Sequence, residues 1–351
     1  MNLILTFDYE LYGDGSGDIF KHIIEPTNKI LDCCKKHNIK TTIFFEIIEF
    51  IKLEELWNKG NKMGYDSNPI DAIKNQIKLA AIDGHDIQLH IHPQWINALY
   101  VNNKWVVDFS NWRLGDFSCS NGYSIEDLLQ EAKLAVEEIV QQVKPEYKCI
   151  ALRAGAYNIT PSKEVYNAMV KLGLKLDSSV YPGGYETGSL SQYDFRHAPI
   201  NKDYWWVNPN DFSESKNKSE VMEVPVFALS QFRYRKFNLA RIVSALNNKK
   251  STINSVKSKT IGKSLIQKIS WLFERESFTW DFCLFNSGMH KIFLKYIKSN
   301  LEKSRNNFVI IGHPKSLANI KSLEKFITIS KDKKYRFKTL IDMYDTINAN
   351  K

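Results

Sequence analysis

Seven side chains able to do hydrolytic chemistry fall at or just past the ends of short apolar runs. They are Asp8 and Glu10 after Leu3–Phe7, His90 and His92 after Ile87–Leu89, Arg153 after Cys149–Leu152, Asp177 after Leu174–Leu176, and His313 after Phe308–Ile311. Asp8 and Glu10 are two positions apart, so in an extended segment they share one side. Two carboxylates so placed repel each other unless a metal ion, an arginine or a bound proton sits beside them. One carboxylate with two imidazoles is a usual set for a catalytic zinc with one position left open. Glu10, His90 and His92 form that set, and the expected cofactor is one divalent ion, zinc by preference. Asp8 is then left beside the metal as general base. Arg153 would hold it ionised, and His313 would deliver a proton from the opposite side.

These residues need elements that bring strand ends together. Thr41–Phe45 joins the runs above as a β-branched and aromatic strand. Helices are expected over Glu25–His37, Asp71–Asp83, Ser124 to about Val143 and Ser162–Leu172, the last closed by Gly173. Strand and helix alternate, which predicts a parallel sheet. Parallel strands carry functional groups at their C-terminal ends. Between about 183 and 306 the alternation is lost. That stretch is aromatic at first (Tyr204, Trp205, Trp206, Phe212, Phe227) and then basic, and it is expected to be an insertion into the core fold, partly helical. Gly13–Asp18 is glycine-rich, but it lacks dinucleotide spacing and a P-loop lysine, so a plain loop is expected.

Composition narrows the function classes. The 351 residues are 43% hydrophobic and 25% charged, ordinary values for a globular chain, with a net charge of +9. No apolar run reaches membrane-span length. The chain opens on Met1, and Leu3–Phe7 is too short for a signal core, so a cytoplasmic protein without a leader is expected. The five cysteines are odd in number and lack C-x-x-C spacing, which speaks against a zinc ribbon or a disulfide framework. Positive charge favours anionic partners, yet no nucleic-acid motif accompanies it, and none is expected.

The motifs together resemble the polysaccharide deacetylase family, the NodB-homology type of carbohydrate esterase. Thr6–Glu10 resembles its first motif in a D-x-E variant, and Gly84–Pro93 its second, here H-x-H-P. Arg153–Tyr157 resembles the third, Leu176–Pro182 the fourth and Ile311–Pro314 the fifth. The resemblance covers about residues 1–182 and 307–320. It implies a distorted (β/α) barrel forming a single domain over 1–351. It also implies Asp8 as base, Arg153 as its orienter, His313 as acid, and Glu10 with histidines of the second motif on the metal. The fourth motif, with Asp177 and Tyr181, would shape the substrate pocket, with Tyr157 of the third nearby. One departure is plain: the usual second histidine lies four residues after the first, and that position is Gln94. His92 is taken as the ligand instead, because imidazole is the better zinc donor.

The implied reaction is removal of an N-acetyl group from a sugar of a polysaccharide or its precursor, in surface polysaccharide biosynthesis such as lipopolysaccharide or capsule. Trp95, Trp112, Trp205 and Trp206 are candidates for stacking on sugar faces. The amphipathic stretch from Ile261 to Phe273 could dock on an anionic inner membrane face, where lipid-linked precursors sit. Two other readings stand beside this one. One is a non-sugar amide hydrolase of the same barrel family. The other is a carbohydrate-binding or assembly protein that lost catalysis at Gln94.

Overall fold

β1 (Asn2–Tyr9) is the axis of the structure, a computed structural model that describes residues 1–119, 122–236, 270–301 and 304–349. Its apolar run is buried almost throughout, as expected of a strand covered on both faces. It pairs in parallel with β2 (Thr42–Glu46), and beyond β2 follow β3 (Asp86–Ile91), β4 (Ala151–Ala154), β5 (Leu176–Asp177) and β6 (Met222–Glu223), all parallel. On its other side β1 pairs with β7 (Asn307–Ile310). The chain running on from β6 bridges Val226 to Val309 of β7, and Phe227 N donates to Val309 O at 2.9 Å. The sheet thus curls until the chain beyond β6 touches β7. The closing contact is a single bridge rather than a ladder, and the segment from Trp280 to Phe282 pairs beside it with Phe227 and Ile311. The α/β barrel is therefore present, and its distortion lies between β6 and β7.

The helices follow from local sequence. α1 (Glu25–Lys36) continues from a π-helical turn, Phe20–Ile24, and Pro26, which has no N–H to give, stands where one pattern passes to the other. α3 (Pro69–Ile82) is capped by Asn68, and α4 (Ile125–Gln141) by a Ser124–Asp127 capping box. α5 (Lys163–Leu172) ends at Gly173, whose φ of 73° suits the residue that needs no Cβ. α2 (Ile47–Asn58) was not expected. Its sequence is apolar on several faces, so no stripe at helical period marks it. Later helices are α6 (Ser287–Asn300), α7 (Ile320–Asp332) and α8 (Leu340–Ala349).

The stretch 183–306 is not wholly an insertion. It supplies β6, and its hairpin Trp205–Asn208 with Asp211–Lys216 extends the main sheet from β6. Two further hairpins, Gly184–Thr187 with Gln192–Phe195 and Ala228–Phe232 with Arg275–Thr279, stand apart from the sheet. β6 was missed because its paired part is two residues long, too short for any periodicity to register. The stretch from Ile261 to Phe273 lies outside the described residues up to position 269. No described helix is long and apolar enough to cross a membrane. The five cysteines are all free thiols.

Candidate active site

Parallel register sets the site in a row. Glu46 pairs with His90, His90 with Arg153, Leu152 with Asp177, and Asp177 with Glu223. A fan of side chains results at the C-terminal ends of the strands, and His90 and Arg153 are its members that approach Asp8 at the end of β1.

Asp8 is the centre of the fan. Arg153 Nη1 donates to Asp8 Oδ1 at 2.7 Å, and both side chains are buried. The guanidinium is fixed on its other sides. Nη2 bonds Thr6 Oγ1 (3.0 Å) and Ser178 Oγ (3.1 Å), Nε bonds the Ser178 carbonyl (2.9 Å), and the plane lies 3.9 Å over the Phe44 ring. Asp8 Oδ2 faces His313 Nε2 at 3.5 Å and His90 Nε2 at 3.8 Å. Burial opposes ionisation of Asp8, but Arg153, His90 and His313 outweigh it and hold the carboxyl well below the usual range.

Glu10 lies next to this group. Lys315 Nζ donates to its Oε1 at 2.8 Å. Its Oε2 lies 2.8 Å from His92 Nε2 and 3.5 Å from His90 Nε2. Against its burial, Lys315 and His92 keep Glu10 ionised well below the usual range. Its carboxylate neighbours behave differently. Burial, followed by the charge of Glu10, pushes Glu49 up to about 8, and burial likewise raises Glu46. Negative charge is therefore concentrated on Asp8 and Glu10.

The residues fit a metal ion. Donor atoms of Glu10, His90 and His92 lie within 4.8 Å of one another. Both imidazole Nε2 atoms are buried without a hydrogen-bond partner, although Glu10 is close to each. His90 Nδ1 lies 3.0 Å from the Arg153 carbonyl, an obligate acceptor, so its proton sits there and Nε2 keeps its lone pair. Gly155 leaves room for the His92 ring: a Cβ at 155 would lie 2.5 Å from it.

His313 carries the opposite function. Its Nδ1 bonds Asp281 Oδ2 at 3.0 Å. Burial pulls its pKa down, but the bonds and charges of Asp281 and Asp8 raise it to about 10, so the ring is protonated at neutral pH. Asp281 was missed in the sequence because it follows no recognisable strand. The run Trp280-Asp281-Phe282, two aromatics around an acid, is the signal that was present. Lys315 was also missed, although it lies only two positions past His313.

A cleft of about 320 Å³ opens on Asp8, Glu10, His92 and His313 and is walled by Trp112, Tyr157 and Lys315. Ala156 and Tyr157 have φ of 48° and 64°, a strained turn at the end of β4 that brings Tyr157 to the cleft. A larger cavity of about 510 Å³ lies across the Tyr12–Asp18 loop, among Tyr65, Tyr100 and Trp105.

Three of the expected substrate-binding residues do not reach the cleft. Trp95 is 1% exposed and packs edge-on against Trp105, so it has no face to offer. Asp177 is fully buried and bonds Ser179, behind the strand end that holds Arg153. Tyr181 is enclosed by Tyr157, Tyr193 and Phe195. Trp205 is buried too, its indole N–H bonded to the Phe212 carbonyl. Trp112, 6.0 Å from the His92 ring, reaches the cleft, as do Tyr157 and Tyr12.

No family model matches the chain, and no curated protein matches it. Solved structures do. Several of them are polysaccharide deacetylases. A protein from Mycobacterium smegmatis described as a polysaccharide deacetylase is 11% identical over 99% of this chain and 90% of its own, with a TM-score of 0.45. A family 4 acetyl xylan esterase from Clostridium thermocellum, in complex with a cobalt ion, is 13% identical over 99% and 91%, with a TM-score of 0.38. Puue allantoinase is 10% identical over 97% and 88%, with a TM-score of 0.48. At these values no residue's role is carried across.

Proposed function

We propose that the protein is a metal-dependent hydrolase that removes an N-acetyl group from a sugar of a polysaccharide or its precursor. The observation that carries this reading is the placement of Asp8. One of its oxygens is held by Arg153, and the other faces His90 on the metal side and a protonated His313 on the far side.

Glu10, His90 and His92 would hold the ion, which when bound supplies a Lewis acid for a carbonyl oxygen and eases loss of a proton from water. The chain's own residues do the rest. Asp8 Oδ2 is the free oxygen of an ionised carboxylate and accepts the proton of the attacking water. Arg153 prevents the carboxylate from rotating and keeps it charged. His313, with Nδ1–H committed to Asp281, donates its Nε2 proton to the departing amine nitrogen. Water adds to the carbonyl, the C–N bond breaks, and acetate and a sugar amine result. Trp112, one of the four tryptophans expected to stack on a sugar, and Tyr157 form walls suited to an apolar sugar face. A precursor of a surface polysaccharide, handled on the cytoplasmic side, is the substrate class we favour.

The test is acetate release from N-acetylated oligosaccharides and glycan precursors. Asp8→Asn and His313→Ala are each expected to lower kcat by about 10²–10⁴-fold. Undiminished acetate release in either variant would overturn the assignment.

A further inference from the structure

His92 and Gln94 are two positions apart in the turn that follows β3, and both are buried. Gln94 Nε2 lies 3.2 Å from the Gly13 carbonyl and 2.9 Å from His92 Nδ1. A carbonyl oxygen only accepts, so the contact with Gly13 identifies that end of the amide as the nitrogen. The same NH₂ group therefore donates to His92 Nδ1. A neutral imidazole carries one proton. With Nδ1 accepting, that proton sits on Nε2, the nitrogen that lies 2.8 Å from Glu10. His90 has the opposite arrangement, because its Nδ1–H donates a hydrogen bond to the Arg153 carbonyl.

A histidine that binds a metal through Nε2 needs its lone pair there, and normally donates from the other nitrogen to an acceptor. Gln94 can supply that acceptor. Its Oε1 is buried and has no hydrogen-bond partner, so nothing on the oxygen side of the amide opposes rotation. Turning the amide over presents Oε1 to His92 Nδ1–H, and it replaces the bond to Gly13 by a contact between two acceptors, so the Gly13 carbonyl must draw back.

We propose that Gln94 is a positioning residue that sets the tautomer of His92. In the metal-free protein it holds His92 with the proton on Nε2, and the amide turns over when the site is loaded. The device ties metal binding to the loop from Tyr12 to Asp18, whose Gly13 carbonyl releases the amide. It rests on the metal-site reading given above.

The experiment reads the ring directly. Two-bond ¹H–¹⁵N spectra of the metal-free wild type, with His92 assigned by loss of its signals in His92→Asn, report which nitrogen is protonated. The Nε2–H form is expected in the metal-free wild type, and the Nδ1–H form in the zinc-loaded protein. In Gln94→Glu, a carboxylate at 94 accepts from Nδ1 and should move the metal-free ring to the Nδ1–H form. Zinc affinity, measured by competition with a chelator, should then rise by about 10–100-fold, the usual range for a changed partner of a metal-binding histidine. An Nδ1–H ring in the metal-free wild type would overturn the proposal, and that spectrum does not depend on whether the variant folds. Unchanged zinc affinity in a folded Gln94→Glu protein would overturn it as well. An Nε2–H ring in a wild type that binds no zinc would support the tautomer assignment and contradict the metal reading instead.

Discussion

His313 and Asp281, 32 positions apart in the chain, meet through Nδ1 and Oδ2 at 3.0 Å, and that bond decides which way the imidazole gives its proton. The Asp281 carboxylate also accepts from the backbone N–H groups of Cys283 and Leu284, at 2.8 and 3.1 Å, so it is fixed before it meets the ring. With Nδ1 committed, only Nε2 is left to face Asp8 and the cleft.

Asp281→Asn keeps the shape and an acceptor oxygen but removes the charge. The His313 pKa, about 10 in the wild type, should fall toward the ordinary histidine value. The protonated acid is present below its pKa, so the alkaline limb of kcat/KM should move from near pH 10 into the neutral range. A pH–rate profile checks this, and an unmoved alkaline limb would refute the role given to Asp281.

Arg153 and Asp8 form a buried ion pair whose remaining hydrogen bonds are satisfied by Thr6 and Ser178. Removing one partner leaves a buried charge without compensation, which costs about 3–5 kcal/mol. Arg153→Met should lose stability of that order in urea unfolding at pH 7. The Asp8 pKa lies below its unfolded value, so the pair's contribution is present above about pH 4 and lost only as pH falls further. The difference between Arg153→Met and wild type should therefore shrink in acid. A difference that is constant from pH 7 to pH 3 would contradict the pairing.

Gly155 lies against the His92 ring. A methyl group at 155 would sit 2.5 Å from ring atoms, a distance that forces the ring to shift. Gly155→Ala should weaken zinc binding by about tenfold or more, because ligand position is lost while ligand chemistry is kept. Chelator competition measures it. Equal affinity would mean that His92 is not a ligand.

His290 is a buried histidine outside the cleft lining. Trp280 Nε1 donates to its Nδ1 at 2.9 Å, and its ring stacks on Phe326 with centroids 4.5 Å apart. Burial pulls its pKa down to about 3. The unfolded chain binds a proton at this residue near pH 6.5 and the folded chain does not, so stability is full above pH 6.5 and falls as pH drops toward 3. The loss should approach about 1.4 kcal/mol per pH unit across that window. His290→Phe should be less stable at neutral pH but show a shallower dependence between pH 6.5 and 4.5. A slope equal to wild type would remove His290 from the acid response.

Much of the site could be read from the chain because Asp8, His90, Arg153 and His313 lie at or just past the ends of short apolar strands, and parallel strands collect such ends. The parallel sheet followed from the same alternation, and its closure into a barrel from the family resemblance. What could not be read depended on tertiary burial. Trp95 and Trp112 look alike as sequence, yet Trp95 packs beneath the Gly15 turn while Trp112 reaches the cleft. Asp177 ends a strand as Asp8 does, but its side chain bonds Ser179 behind the sheet instead of reaching the cleft. Asp281 and β6 lie in a stretch of hairpins, where a paired run of two residues carries no period. Helix α2 was obscured by too many apolar residues rather than too few.

The most direct test of the central claim is acetate release by metal-stripped protein as zinc is added back. The account expects no turnover in the stripped protein, activity that rises to a plateau at one equivalent per chain, and no recovery in Glu10→Gln or His90→Ala at the same zinc level. Turnover in the stripped protein equal to that of the loaded protein, or full recovery in either variant, would contradict it.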